Sequence, residues 1–128
     1  MHFHDFGEEK FVQHLTRQFA VKAPLIGIGD DAAVIPGNRG MAWLVTTDAL
    51  VEGIHFLKEQ ISPEDLGFKT IAVNVSDISA MGGKPKYAFL SIALPKNVDS
   101  KWTLDLMRGI KNGCEKWGIA LLGGDTVG

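Results

Sequence analysis

The sequence predicts an α+β domain, a four-stranded mixed sheet with helices on one face. Three observations lead there. Apolar residues recur at helical spacing in three segments, with short β-rich runs between them. Capping and stop signals bracket the two longer helical segments. The final strand, helix and strand, over residues 87–123, form a crossover whose two strands must lie parallel. The predicted order is α-β-β-α-β-α-β, and 128 residues with 45% hydrophobic content suit one domain with a real core.

The first helix is read from EEKFVQHLTRQF, residues 8–19, where Phe11, Val12, Leu15 and Phe19 share one face. Residues 31–36 look extended. Pro36-Gly37-Asn38-Arg39-Gly40 is dense turn chemistry, and the β-formers of MAWLVTTDALV, 41–51, complete a hairpin. Ser62-Pro63-Glu64-Asp65 combines a capping serine, a first-turn proline and an acid three residues on. That helix should run to Met81 and stop at Gly82-Gly83. KYAFLSIALP, 86–95, is a strand ended by proline. Asp99 or Ser100 caps a helix running to Trp117 with Gly118 as its stop, and IALLGG, 119–124, is a short strand.

Charge narrows the partners. A net charge of −2, a pI near 6.0 and scattered lysines and arginines give no electrostatic footprint for nucleic acid. No apolar run approaches the ~20 residues needed to span a bilayer, so no membrane partner is expected. The opening MHFHDFGEEK lacks the apolar core of a signal peptide. Cys114 is the only cysteine, which excludes a disulfide framework and makes a cytoplasmic setting the simplest one.

Gly27-x-Gly29-x-x-Ala32 matches a relaxed dinucleotide-binding fingerprint, but such a fingerprint must open a helix, and Ala32 to Ile35 read as extended. A P-loop is absent, because Gly83-Lys84 is followed by proline and lacks a glycine five residues earlier.

The acids are more informative. Asp30 and Asp31 follow Gly29 in LIGIGDDAAVI, with no lysine, arginine or histidine within seven residues of either. Asp48 ends LVTTD, Asp77 lies inside IAVNVSDISAMG, and Asp125 follows LLGG. Any one of these aspartates is ordinarily a turn or cap residue. Asp77 is harder to place that way, since it falls deep in a helix on the face of Asn74. Carboxylates without cationic neighbours, set among apolar runs, imply a shared cation. Carboxylates with threonine hydroxyls are hard oxygen donors that suit Mg²⁺ or Ca²⁺. Zinc would require cysteine or paired histidines, and His2, His4, His14 and His55 show no ligand spacing. Several carboxylates holding more than one Mg²⁺ imply a polyphosphate partner. Glycines 27, 29, 123 and 124 would let the backbone approach phosphates. His55, between Ile54 and Phe56, reads by itself as a half-buried strand residue.

GIGDDAAVI, VTTDALVEGIHF, KTIAVNVSDISAMGGKP and LLGGDT, in this order and spacing over about residues 25–127, resemble the thiamine-monophosphate kinase family. Gly-Gly-Asp-Thr is shared more loosely with aminoimidazole ribonucleotide synthetase, selenophosphate synthetase and a hydrogenase maturation factor. TTDALVEGIHF before the Ser-Pro helix is what separates the kinase from these. The resemblance implies the N-terminal domain of the aminoimidazole ribonucleotide synthetase-like fold, with sheets pairing in a homodimer. It implies ATP-dependent phosphorylation of thiamine monophosphate to thiamine diphosphate. Asp31, Thr46, Thr47, Asp48, Asp77 and Asp125 would hold several Mg²⁺ ions, with Asp30 as an accessory ligand. Gly124 and Asp125 would touch the nucleotide, and His55 the substrate. No general base is assigned, because the acceptor is already an ionised phosphate oxygen.

Two departures stand out. The family often carries a tyrosine against the nucleotide base in the middle of the second crossover helix, where this sequence reads Leu106-Met107-Arg108-Gly109. The family also has a second, C-terminal domain, so residues 1–128 correspond to a single N-terminal ATP/Mg-binding and dimerisation domain that should fold without turning over. Two other readings remain: another ATP-using member of the superfamily, or a non-catalytic Mg-nucleotide-binding dimerisation module.

Overall fold

The computed structural model describes residue 4 and residues 7–128. His2, and half of the opening stretch read above as lacking a leader, lie outside the described residues. The observed order is α1 (Glu8–Gln18), β1 (Ala33–Pro36), β2 (Ala42–Val45), α2 (Pro63–Ala80), β3 (Tyr87–Ala93), α3 (Ser100–Trp117) and β4 (Ala120–Val127). The predicted succession of elements is therefore present.

The caps form as their chemistry requires. Ser62 Oγ accepts from the Asp65 amide at 3.1 Å, ahead of Pro63 in the first turn of α2. Asp99 Oδ1 accepts from the Lys101 amide at 3.0 Å at the start of α3, and Gly118, with φ 66°, ends that helix in the left-handed region.

α2 and α3 make the core. Leu66, Ile71 and Val75 of α2 close on Leu106, Ile110 and Cys114 of α3. Their backbones come so near that a Cβ on Gly109 would strike the carbonyl of Glu64, and one on Gly67 the carbonyl of Leu106. Glycine in mid-helix carries a propensity cost, offset here by this close approach. β3 lies under the helices by its alternate residues: Leu90 and Ile92 pack against the core, whereas Tyr87 and Phe89 face away and are exposed.

β3 and β4 are parallel, as the crossover predicts, running from Tyr87↔Ala120 to Ala93↔Val127. Leu122 is an extra residue between the Ala88↔Leu121 and Phe89↔Gly123 pairs, a bulge. β4 reaches Val127, so Asp125 is inside the strand, opposite Ser91.

The single four-stranded sheet is not what forms. β1 pairs antiparallel with β2, from Ala33↔Val45 to Pro36↔Ala42, and makes a second, separate two-stranded sheet. The hairpin meets the rest through side chains: the rings of Trp43 and Tyr87 stand 6.3 Å apart, and Leu44 lies against Gly83. The expected strand over 41–51 ends at Val45. There the Thr46 hydroxyl turns to the Asp31 carbonyl and the Asp77 carboxylate, side-chain bonding that competes with a continuing ladder.

α1 buries none of its residues, and Phe11 and Phe19 remain exposed. Among the described residues, no helix is long and apolar enough to cross a membrane.

Candidate functional site

The junction between the hairpin and α2 gathers most of the suspected ligands. Ile26 bridges Val34 in both directions, with amide–carbonyl distances of 3.2 and 2.9 Å, so residues 27–33 form a closed loop. Asp30 and Asp31 sit in that loop, and Asp30 Oδ1 accepts from the Asp31 amide at 2.9 Å. The Asp31 carbonyl points toward Thr46, whose Oγ1 is 3.1 Å away. The same Oγ1 is 3.5 Å from Asp77 Oδ2. One hydroxyl proton cannot serve both acceptors, so the shorter bond to Asp31 is the stronger and the longer one is marginal.

Asp77 reaches this point because α2 carries Thr70, Asn74 and Asp77 on one face. Asn74 Nδ2 donates to the Thr70 carbonyl at 2.9 Å, so its amide is held along the helix. Asp77 is half-buried and meets Asp48 from the hairpin side. Asp48 is exposed, and its partial loss of solvent beside Asp77 pushes its carboxyl above the usual carboxylate range; the hydrogen bond with Asp77 and the charge of Asp77 add to that rise, and His55 opposes it. No lysine or arginine pairs with Asp48 or Asp77 among the described residues. The buried acid of α3, Asp105, contrasts with this pair: Lys101 Nζ at 2.6 Å and Arg108 at 3.0 Å satisfy it and hold its carboxyl below the usual range.

The remaining predicted residues lie apart from this pair. Thr47 is exposed beside Thr46, and Asp125 is exposed on β4. Among the described residues, no three acidic, histidine or cysteine side chains stand close enough to hold one metal ion together. The junction offers two carboxylates and a hydroxyl. That donor set fits Mg²⁺, which is commonly held by one or two protein carboxylates with the rest of its shell from phosphate oxygens and water.

Gly124 has a structural reason to be glycine. Its φ is 153°, and a Cβ there would collide with the carbonyl of Leu90 on the neighbouring strand. Gly123 is different, since a Cβ would only touch the Phe89 ring at 3.8 Å.

His55 Nδ1 accepts the Val51 amide at 2.9 Å. Beside that loop lies a crevice of about 410 Å³ at the carboxyl end of β3, walled by Glu52, Phe56, Lys58, Ser91 and Trp102. Lys58 Nζ lies 5.2 Å from the Trp102 ring centroid, a cation–π contact. Sequence reading missed Glu52, Lys58 and Trp102. Glu52 and Lys58 flank His55 in sequence, and the carboxyl end of a parallel strand is where α/β sheets bind ligands; Trp102 carried no signal, because a tryptophan early in a helix reads as packing.

The family model for "AIR synthase related protein, N-terminal domain" matches residues 29–128. A thiamine-monophosphate kinase of Buchnera aphidicola subsp. Acyrthosiphon pisum is 47% identical over 100 residues, covering 78% of this chain and 30% of that protein. One from Bacillus subtilis is 43% identical over 106 residues, covering 80% and 31%. A solved structure described as AaThiL complexed with AMPPCP and TMP superposes with a TM-score of 0.90 at 35% identity, over 99% of this chain and 39% of that one. The chain thus spans about a third of the length of these relatives. With the family model covering residues 29–128, the chain belongs to the AIR synthase related protein N-terminal domain family.

Proposed function

We propose that this chain is the N-terminal domain of an ATP-dependent kinase that phosphorylates thiamine monophosphate to thiamine diphosphate in the cytoplasm. The observation that carries the reading is the Asp48–Asp77 carboxylate pair, without a lysine or arginine partner among the described residues, at the junction that Thr46 and Asp31 close. Supporting it are the similarity to proteins named thiamine-monophosphate kinase and to a structure holding AMPPCP and TMP.

In this reading Asp48, Asp77 and Thr46 hold Mg²⁺, with Asp31, Thr47 and Asp125 serving further ions and Asp30 in an accessory place. Mg²⁺ held there would neutralise phosphate charge and favour an in-line transfer. The chain's own residues give the site its shape. α2 fixes Asp77, the end of β2 fixes Thr46 and Asp48, and the Ile26–Val34 bridge holds Asp31 against Thr46. Without a cation, the paired carboxylates would repel a phosphate. No side chain is needed as a base, since the accepting phosphate oxygen is already ionised. Gly124 and Asp125 are assigned to the nucleotide, with the backbone of Gly124 committed to its approach to Leu90.

A second domain is proposed to provide the opposing wall that excludes water from the transferring phosphate. A second copy of the chain is proposed to cover the exposed face of Trp43, Val45, Tyr87 and Phe89, which the Trp43–Tyr87 contact makes continuous across the two sheets.

The test is protection by substrate. With Mg²⁺ and AMPPCP present, thiamine monophosphate should raise the melting temperature of the chain, and aminoimidazole ribonucleotide precursors or selenide should not. A rise with a purine precursor and none with thiamine monophosphate would move the protein to the synthetase branch of the superfamily.

A further inference from the structure

We propose that His55 is a positioning residue: its imidazole clasps the Val51–Phe56 loop, which forms one wall of the crevice at the carboxyl end of β3, and it meets a ligand only through Nε2–H. The proposal goes beyond the kinase reading and stands on the loop's own hydrogen bonds.

Val51 lies where the extended stretch after β2 gives way to a tight turn. Its carbonyl accepts from the Ile54 amide at 3.1 Å and the His55 amide at 2.8 Å, and the Gly53 amide donates to the Phe56 carbonyl at 2.7 Å. Among the described residues the Val51 amide has no main-chain acceptor, and the His55 ring nitrogen Nδ1, at 2.9 Å, accepts from it instead. His55 thus holds Val51 twice, through its backbone on the Val51 carbonyl and through its ring on the Val51 amide. Leu50, Val51, Glu52, Phe56 and Lys58 all come from this stretch and make one side of the crevice, while Ser91 and Trp102 face them from β3 and α3.

The chemistry of the clasp fixes the ring. A neutral imidazole has one donor and one acceptor nitrogen. Because Nδ1 accepts from Val51, the proton must reside on Nε2. The free edge of His55 is then a hydrogen-bond donor, suited to an oxygen acceptor such as a phosphate or carbonyl oxygen and unsuited to a donor group. This differs from a plain substrate-contacting histidine, because removing the ring acceptor should disturb the crevice wall even with no ligand present.

The experiment uses the whole chain without ligand. Nitrogen-15 spectra of labelled histidine at alkaline pH, with the His55 signals identified by their loss in H55N, should show a protonated Nε2 and a bare Nδ1. A proton on Nδ1 would overturn the proposal. Amide hydrogen exchange then tests the clasp. In H55F, which keeps a ring of similar size but no acceptor, Val51 and Gly53 should exchange at least about tenfold faster than in the wild type. In H55N, whose side-chain oxygen can take the place of Nδ1, both amides should stay protected. Unchanged exchange in H55F, or acceleration at Val51 alone, would show that His55 does not hold the loop. If H55F does not fold, the tautomer of the wild type and the protection in H55N decide the matter. Loss of protection in H55N equal to that in a His55→Ala chain would count against the proposal.

Discussion

Asp48 and Asp77 meet side chain to side chain, one from the end of the hairpin and one from the middle of α2, with no lysine or arginine paired to either among the described residues. Two acids placed so cost the fold something at neutral pH, because one of them is pressed to keep a proton it would otherwise lose.

The sign of the pH dependence follows. The Asp48 carboxyl is raised in the folded chain, by partial loss of solvent first and by Asp77 next. Between the ordinary carboxylate value and the raised one, the folded state holds more protons than the unfolded state. The pair's contribution to stability therefore falls as pH rises through that window and is flat above it. Metal-free chain should lose urea midpoint as pH increases from about 4 toward neutrality, and Asp48→Asn should flatten that slope. A slope of the same size in the variant would separate the effect from Asp48.

The packing of α2 on α3 gives a prediction independent of function. Gly109→Ala should cost about 1–3 kcal/mol or more in chemical denaturation, since the new methyl meets the Glu64 main chain, which cannot give as a side chain could. Gly123→Ala should cost far less, because its neighbour is the Phe89 ring at an ordinary distance. Equal effects at the two sites would mean that the interhelical approach is looser than described.

Much of this architecture could be read from the residues because it is local. The Ser62-Pro63 start, the Asp99 cap and the Gly118 stop each rest on a bond within a few residues, and each forms. The parallel pairing of β3 with β4 follows from the short crossover that α3 makes. The single sheet was not legible, because whether β2 bonds to another strand depends on where the chain goes after Val45, and that is set by Thr46 turning to Asp31 and Asp77, far away in sequence. For the same reason the sequence suggested five aspartates around shared ions, while the described side chains pair only Asp48 with Asp77 and leave Asp125 on β4. Gly109 gave no warning of its role, since a glycine in mid-helix reads as a weakness until the partner helix is in place.

Assembly is tested at the apolar face. Sedimentation at micromolar concentration should show a dimer, and Phe89→Asp should yield a monomer with unchanged helical content, because Phe89 faces away from the core. A wild-type monomer would leave that face without the proposed partner copy.

The chain by itself should not turn over. Phosphate transfer needs donor and acceptor aligned to within about an ångström, and the described residues give one wall of such a site. ATP, thiamine monophosphate and Mg²⁺ incubated with the chain should yield no thiamine diphosphate above background. A rate near that of a full-length relative would place every catalytic group within these 128 residues.

The most direct measurement is thermal unfolding of the wild type and of Asp48→Asn with Mg²⁺, AMPPCP, both or neither. Ligands that bind only the folded chain stabilise it, by an amount that grows with the logarithm of free ligand relative to its dissociation constant. If Asp48 and Asp77 receive a cation that brings phosphate with it, Mg²⁺ and AMPPCP together should raise the wild-type melting temperature by more than the sum of the separate shifts. Asp48→Asn should melt higher than the wild type without ligand and lose that combined gain. A combined shift of equal size in the variant, or none in the wild type, would contradict a magnesium–nucleotide site at this junction.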